Sequence, residues 1–352
     1  MLRAAISCVI ALALAAAAAA PEPASPERTI PFRTRTMGTW GTVNIATADS
    51  VAVADPALAS LLVFHHVDSL MSNWTETSEV ARINREAGKG AIAINREVAD
   101  VIATSLEVSR ATHGAEDITV EPLVRLWGFL GGTPHVPTSE AVNSVLPLVG
   151  YQKIRLDSKT PAIALPRDGV RIDLGGIAKG YAVDGAAAVL RKAGIKNALV
   201  DLTGNMMAMG SAPAHDGWVV GVRNPASTDA HFLRVRLHDE AISTSGNYEQ
   251  FIDENGKRYS HIMDPRTGWP AQGVSSVTVV SRSALTCDAW DTGLFVLGSE
   301  KARQLAKSRD DIAIIVIEPA AGGRFLIWIE ESLRKSVEID DATPASADIR
   351  WF

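Results

Sequence analysis

The sequence predicts an α+β fold, and three features carry that prediction. Apolar residues recur at helical spacing over residues 55–71, 96–112 and 284–296. Strand patterns at 197–202, 218–222 and 274–280 stand between turns. The strands are joined by hairpins, the clearest at the Glu254-Asn-Gly256 corner, rather than by a steady β-α-β alternation.

The chain opens Met1-Leu2-Arg3, runs apolar to Ala20 with Ser7 and Cys8 as interruptions, and meets Pro21. One arginine, a short alanine-rich core and small residues before a proline describe a secretory signal over residues 1–20. Cys8 precedes the apolar core, which argues against a lipid anchor. The expected product is exported and has no further membrane span. Residues 21–35 read as an extended linker, 36–330 as the folded domain and 331–352 as an irregular acidic tail. Once the signal is removed Cys287 remains alone, so neither an internal disulfide nor a cysteine zinc site can form. A net charge of −6 without a long basic run argues against nucleic acid as a partner.

The elements follow in order. Residues 36–46 read as a first strand, 55–71 as a helix with Leu58, Leu61, Leu62 and Phe64, and 90–94 as a brief strand. Residues 96–112 form an amphipathic helix, and the acidic Ala115-Glu116-Asp117 precedes a short helix carrying Trp127. Residues 139–149 are a further helix, and 151–157 and 162–165 are strands. At 170–173 a short strand leads into Gly175-Gly176 and a helix with Val183, Ala187 and Leu190. Residues 242–248 read as a hydroxyl-rich turn, 301–308 as a helix, and 312–317 and 324–329 as closing strands.

Chemistry concentrates at a few places. A glycine pair before a helix lets backbone approach a ligand, and the helix start with Lys179 suits an anion. The alternative is a tight turn with a solvated lysine. Asp288 and Thr292 are four apart on one helix face and offer oxygen to a hard cation such as Mg2+, or else serve as a cap and a packed residue. His261 suits general acid–base work or a structural hydrogen bond. Asp117 and Asp173 are turn groups or ligand contacts, and Met37, Trp74 and Trp127 either stack on a flat ligand or fill a core.

Thr36-Met-Gly-Thr39, Met71-Ser-Asn-Trp74, Asp117-Ile-Thr-Val-Glu-Pro, Asp173-Leu-Gly-Gly-Ile-Ala-Lys-Gly, Ser243-Thr-Ser-Gly246, Tyr259-Ser-His-Ile262 and Asp288-Ala-Trp-Asp-Thr-Gly occur in this order. The series resembles the ApbE family of FAD:protein FMN transferases over nearly the whole mature chain. The resemblance implies tandem T-fold-like halves and a periplasmic, Mg2+-dependent enzyme. Such an enzyme cleaves FAD, attaches FMN through a phosphoester to a threonine or serine of a partner protein, and releases AMP. It implies FAD contacts at Met37, Trp74, Ala115, Glu116, Asp117, Asp173, Lys179 and Ile262. It further implies metal ligands at Gly176 (through its carbonyl), Asp288 and Thr292, and an assisting role for His261. The acceptor it implies is an exported domain of a membrane respiratory or related complex. Glu116 stands where the family usually has an apolar residue, and Thr203-Gly-Asn205 where Gly-Gly-Asn is usual. Two other readings remain open at this point, an FAD pyrophosphatase yielding FMN and AMP, and a non-enzymatic flavin-binding maturation factor.

Overall fold

The computed structural model describes residues 27–227 and 229–352. The expected signal at 1–20 lies outside them. Among the described residues no helix is long and apolar enough to cross a membrane.

Nine strands form the central sheet, and they lie side by side in chain order. They are β1 (Arg28–Thr36), β2 (Thr39–Thr47), β3 (Ala198–Leu202), β4 (Asn205–Met209), β5 (Ala241–Gly246), β6 (Ser276–Ser281), β7 (Ile312–Pro319), β8 (Phe325–Ile329) and β9 (Ala347–Trp351). All neighbours are antiparallel except β8 and β9. The principal helices are α1 (Ala54–Met71), α2 (Arg96–Ala111), α3 (Ala178–Lys192), α4 (Ala284–Leu297) and α5 (Ser299–Ala306). The order is therefore two strands, helices and two strands, given twice. β1, β2, α1, α3, β3 and β4 make one half, and β5, β6, α4, α5, β7 and β8 make the other. This is the tandem α+β arrangement expected.

Alternation along each strand sends one set of side chains to the helices and the other to the opposite face. Val43, Ile45, Val200 and Val279 join Phe64, Val183 and Leu294 in the larger core. Ala208, Ile242, Ile315 and Ile327 pack against a separate three-stranded sheet of Trp218–Arg223, His231–Leu237 and Val337–Ile339. On α1 the stripe of Leu61, Phe64, Val67 and Met71 is buried, whereas Leu58 and Leu62 are exposed.

Several expectations are corrected. The proposed linker is in large part β1, which pairs with β2 across a two-residue corner at Met37 (φ 48°) and Gly38 (φ 70°). Residues 170–173 form no strand. The backbone of Ile172 is satisfied instead by side chains, its N–H donating to Asn84 Oδ1 and its carbonyl accepting from Asn84 and Asn73. Residues 242–246 are not a turn but β5 in the sheet's middle, because their hydroxyls find partners in Asp291 and Thr278. The tail is also ordered, since Val337–Ile339 extends the small sheet and β9 closes the large one.

α3 and α4 cap each other. Asp184 accepts from the Ser283 hydroxyl (2.7 Å) and from the Ala284 and Leu285 N–H groups (2.8 and 3.0 Å) at the start of α4. Asp288 accepts from the Gly180 N–H (2.8 Å) in the first turn of α3. The approach is so close that a Cβ at Gly180 would lie 2.2 Å from the Ala284 carbonyl oxygen. Gly180→Ala should therefore lower unfolding free energy by about 1–3 kcal/mol, as overpacking does. An unchanged urea midpoint would count against this account of the helix junction.

Candidate active site

The corner Met37-Gly38, the corner Thr203-Gly204, Gly246 and residues 248–250 all border one cleft of about 960 Å³, together with the start of α3. Of the candidate site residues named from the sequence, all but Trp127 line it. Met37, Trp74, Ala115, Glu116, Asp117, Asp173, Gly176 and Lys179 come from the first half and the segments inserted in it. His261, Ile262, Asp288 and Thr292 come from the second.

The side chains are held by local bonds. Asp173 accepts from the Gly175 N–H at 2.8 Å, and Asp117 from the Thr119 N–H and hydroxyl and from the Tyr151 N–H. The turn roles considered for both aspartates are thus filled. Lys179 is not loose: its Nζ donates to the Gly175 carbonyl at 2.9 Å and meets Asp288 Oδ1 at 3.4 Å. At the start of α3 the N–H groups of Ile177, Ala178 and Gly180 are already bonded. Those of Gly176 and Lys179 carry no bond among the described residues, so an anion would meet these two and the ammonium. Asp288 sits five residues beyond Ser283, the true cap of α4, so it is not that helix's own cap. Thr292 Oγ1 lies 2.9 Å from Ser245 Oγ, and a Cβ on Gly176 would lie 3.7 Å from it.

His261 Nδ1 lies 3.2 Å from the Gln250 carbonyl, which can only accept, so Nδ1 carries the proton and Nε2 is left as acceptor. Burial lowers the imidazole's pKa, and the nearby Lys179 charge lowers it further against the favourable Gln250 carbonyl. Trp74 leaves its indole 68% exposed at the rim. Trp127, by contrast, is core: it is fully buried, donates to the Gly268 carbonyl at 3.1 Å and packs edge-on against Trp269.

Asp291 was not named from the sequence. It is buried beside Asp288 and accepts from Ser243 (2.5 Å), Ser245 (3.0 Å) and Thr292 (3.1 Å). Burial, then the charge of Asp288, pushes its pKa up to about 7. Its spacing of three from Asp288 on one helix was the available signal. Thr203 occupies a left-handed conformation (φ 52°) unfavourable for a β-branched residue, and its hydroxyl meets Thr39 Oγ1 at 2.5 Å.

Glu116 is 5% exposed and its carboxyl accepts no hydrogen bond among the described residues. Burial, then the charges of Asp117, Asp291, Asp288 and Asp173, raises its pKa well above 4.5. The folded state thus holds this proton more tightly than the unfolded chain. The resulting stability is complete below pH 4.5 and lost as pH rises through the folded pKa. Glu116→Gln should remove that loss, so its stability gain over wild type is larger at pH 8 than at pH 5. Equal urea midpoint differences at the two pH values would refute the assignment.

A sheet built from two ββααββ units, with a cleft of aspartates, a lysine and a helix start where they meet, defines a class of tandem α+β proteins with one shared cleft. The chain belongs to the ApbE family, whose sequence model matches residues 37–316. It is 32% identical to an FAD:protein FMN transferase of Klebsiella pneumoniae (strain 342), covering 89% of this chain and 91% of that protein. It is 31% identical to the Escherichia coli (strain K12) protein of the same name, with the same coverage of both chains. Among solved structures, the flavin transferase ApbE from Vibrio cholerae superposes with a TM-score of 0.80 at 29% identity, over 88% of this chain and all of that one. The Thermotoga maritima ApbE protein superposes with a TM-score of 0.75 at 29% identity, over 91% and 99%.

Proposed function

We propose that this chain is an FAD:protein FMN transferase. The observation that carries the reading is the convergence of Lys179, Asp288, Thr292 and His261 on one cleft in a chain of the ApbE family. In the reaction, a threonine or serine oxygen of the acceptor bonds to the flavin-side phosphorus. The bond from that phosphorus to the bridging oxygen breaks, AMP leaves with its electron pair, and the hydroxyl proton is given up. Transition states of this kind are loose, so positioning and charge neutralisation outweigh a strong base.

The residues support these roles. Exposed Trp74 and half-buried Met37 offer a surface for a flat ring system. The Lys179 ammonium is opposed by burial, but Asp288, Asp291 and Asp173 more than compensate and hold it charged, ready for a phosphate oxygen. His261 Nε2 can accept the hydroxyl proton or orient the nucleophile.

The donor set fits Mg2+: a carboxylate oxygen of Asp288, the hydroxyl of Thr292 and the carbonyl of Gly176 are hard oxygens brought together. Among the described residues no group of three or more His, Cys, Asp or Glu could hold a metal, so the rest of such an ion's shell would come from phosphate and water. When bound, it would neutralise pyrophosphate charge in a cleft otherwise rich in carboxyl groups. Export to the periplasm, and an exported respiratory-complex domain as acceptor, belong to the same proposal.

The direct test incubates the protein with FAD, Mg2+ and a purified exported domain of a membrane respiratory complex, followed by mass spectrometry. The expected result is an FMN-sized gain on a threonine or serine, lost on chelation. FMN and AMP release without labelling would favour the pyrophosphatase, and bound but uncleaved FAD the carrier. Asp288→Ala should abolish transfer. Because its carboxylate also bonds the Gly180 N–H, it should cost about 1–2 kcal/mol of stability as well. Full transfer by this variant would sink the ligand assignment.

Two kinetic outcomes follow. Trp74→Ala should raise KM for FAD about tenfold, yet shift stability by no more than about 0.5 kcal/mol, the usual range for exposed positions. An unchanged FAD KM would remove the stacking role. The acid limb of kcat/KM should lie below pH 6.5, because His261 is held neutral, and it should vanish in His261→Gln with a rate loss of about 10²-fold. A limb that persists in the variant would assign it to another group.

A further inference from the structure

The cleft extends beyond the cluster around Lys179 and Asp288. Its lining continues past Gly246 and Tyr248 to Val219, Val220 and Gly221, with Leu199 and Met206 among the floor residues. The wall there is the strand Trp218–Arg223, which pairs with His231–Leu237 on one side. It is the end strand of its sheet, and among the described residues no strand takes its other side. Trp218 and Val222 are buried against the main sheet, whereas Val219 is 43% exposed and Gly221 and Arg223 are also open. A free strand edge beside a cleft is a template for an added strand, because its backbone N–H and C=O groups on that side lack a partner in the fold.

The open sheet face beyond the floor has its own charge. Phe32 joins the helix-side core and Thr34 meets His65 of α1, so Arg33 and Arg35 between them stand on the opposite face. They are exposed, and neither forms an ion pair among the described residues. Across the ladder they oppose Thr42 and Trp40, the latter 57% exposed. Thr42 in turn opposes Asp201 of β3, which lines the cleft two residues along that strand from the floor residue Leu199.

We propose that the free edge of Trp218–Arg223 holds an extended segment of the acceptor protein as an added strand. The segment lies over β3 and β4 with its serine or threonine pointing toward Lys179 and Asp288, and it carries an acidic side chain toward Arg33 and Arg35. The inference rests on the transferase reading, since only a protein acceptor requires such a track. It separates the two substrates physically: FAD enters from the Trp74 rim, and the acceptor along the strand edge on the face away from the helices. Main-chain pairing supplies affinity with little demand on sequence, while the arginines bias the flanking residue toward acid.

The test uses the purified respiratory-complex domain described above as acceptor. Hydrogen exchange on the wild-type protein should show slowed amides within 219–223 when the acceptor is saturating. Val219→Glu, and separately Arg33→Glu with Arg35→Glu, should each raise KM for the acceptor at least tenfold. KM for FAD, and kcat at saturating acceptor, should stay within twofold of wild type. Transfer by the wild type with no protection at 219–223 would overturn the strand pairing, as would an unchanged acceptor KM in Val219→Glu. A rise in FAD KM that matches the acceptor's would show one shared site and overturn the separate track. Failure of the wild type to label the acceptor would overturn the transferase reading and the groove with it.

Discussion

The site depends on the reciprocal capping of α3 and α4. Each helix begins with N–H groups that lack intrahelical partners, and each receives a carboxylate from the other. Gly180 makes the exchange possible by letting the Ala284 carbonyl come within a distance that no Cβ would permit. One consequence is chemical. Asp288 spends one oxygen on Gly180 and turns the other toward Lys179, so the residue that joins the two helices also faces the cleft. Joining the helices and lining the cleft thus fall on one carboxylate, whose two oxygens are both held by the fold.

A second constraint is charge. Glu116, Asp117, Asp173, Asp288 and Asp291 crowd around Lys179, and burial raises the pKa of Glu116, Asp117, Asp173 and Asp291 alike. An anionic ligand entering such a place meets repulsion unless positive charge accompanies it. The same crowding explains why hydroxyls of Ser243, Ser245 and Thr292 converge on Asp291, since donors are what a buried carboxylate needs.

The two halves contribute unequally. The first supplies the rim at Met37 and the start of α3, and the long excursion between α1 and α3 adds Trp74, Glu116, Asp117 and Asp173. The second supplies Asp288 and Thr292 on α4, and His261 after the Asn255-Gly256 hairpin. The small sheet then borders the cleft from the face away from the helices.

Much of this was legible in the chain itself. The 3.6-residue spacing in α2 and α4, the Asn-Gly corner and the glycine pair before α3 are local signals, and local sterics and burial decide them. The ordered motifs also carried the site, because residues such as Asp288 and Thr292 lie on one helix face wherever that helix packs. What the sequence could not decide by itself was pairing. Residues 170–173 look like a strand, but the backbone of Ile172 there is bonded by Asn73 and Asn84, far away in the chain. Residues 242–248 look like a turn, yet 241–246 form a central strand whose hydroxyls find partners in Asp291 and Thr278. Asp291 gained its place only when α4 was laid against β5, and the tail became β9 only because β8 offered an open edge. Local propensity determined the elements. Which backbone and side-chain groups satisfied one another across the fold was decided by tertiary structure, since a buried polar group accepts whichever partner packing brings within reach.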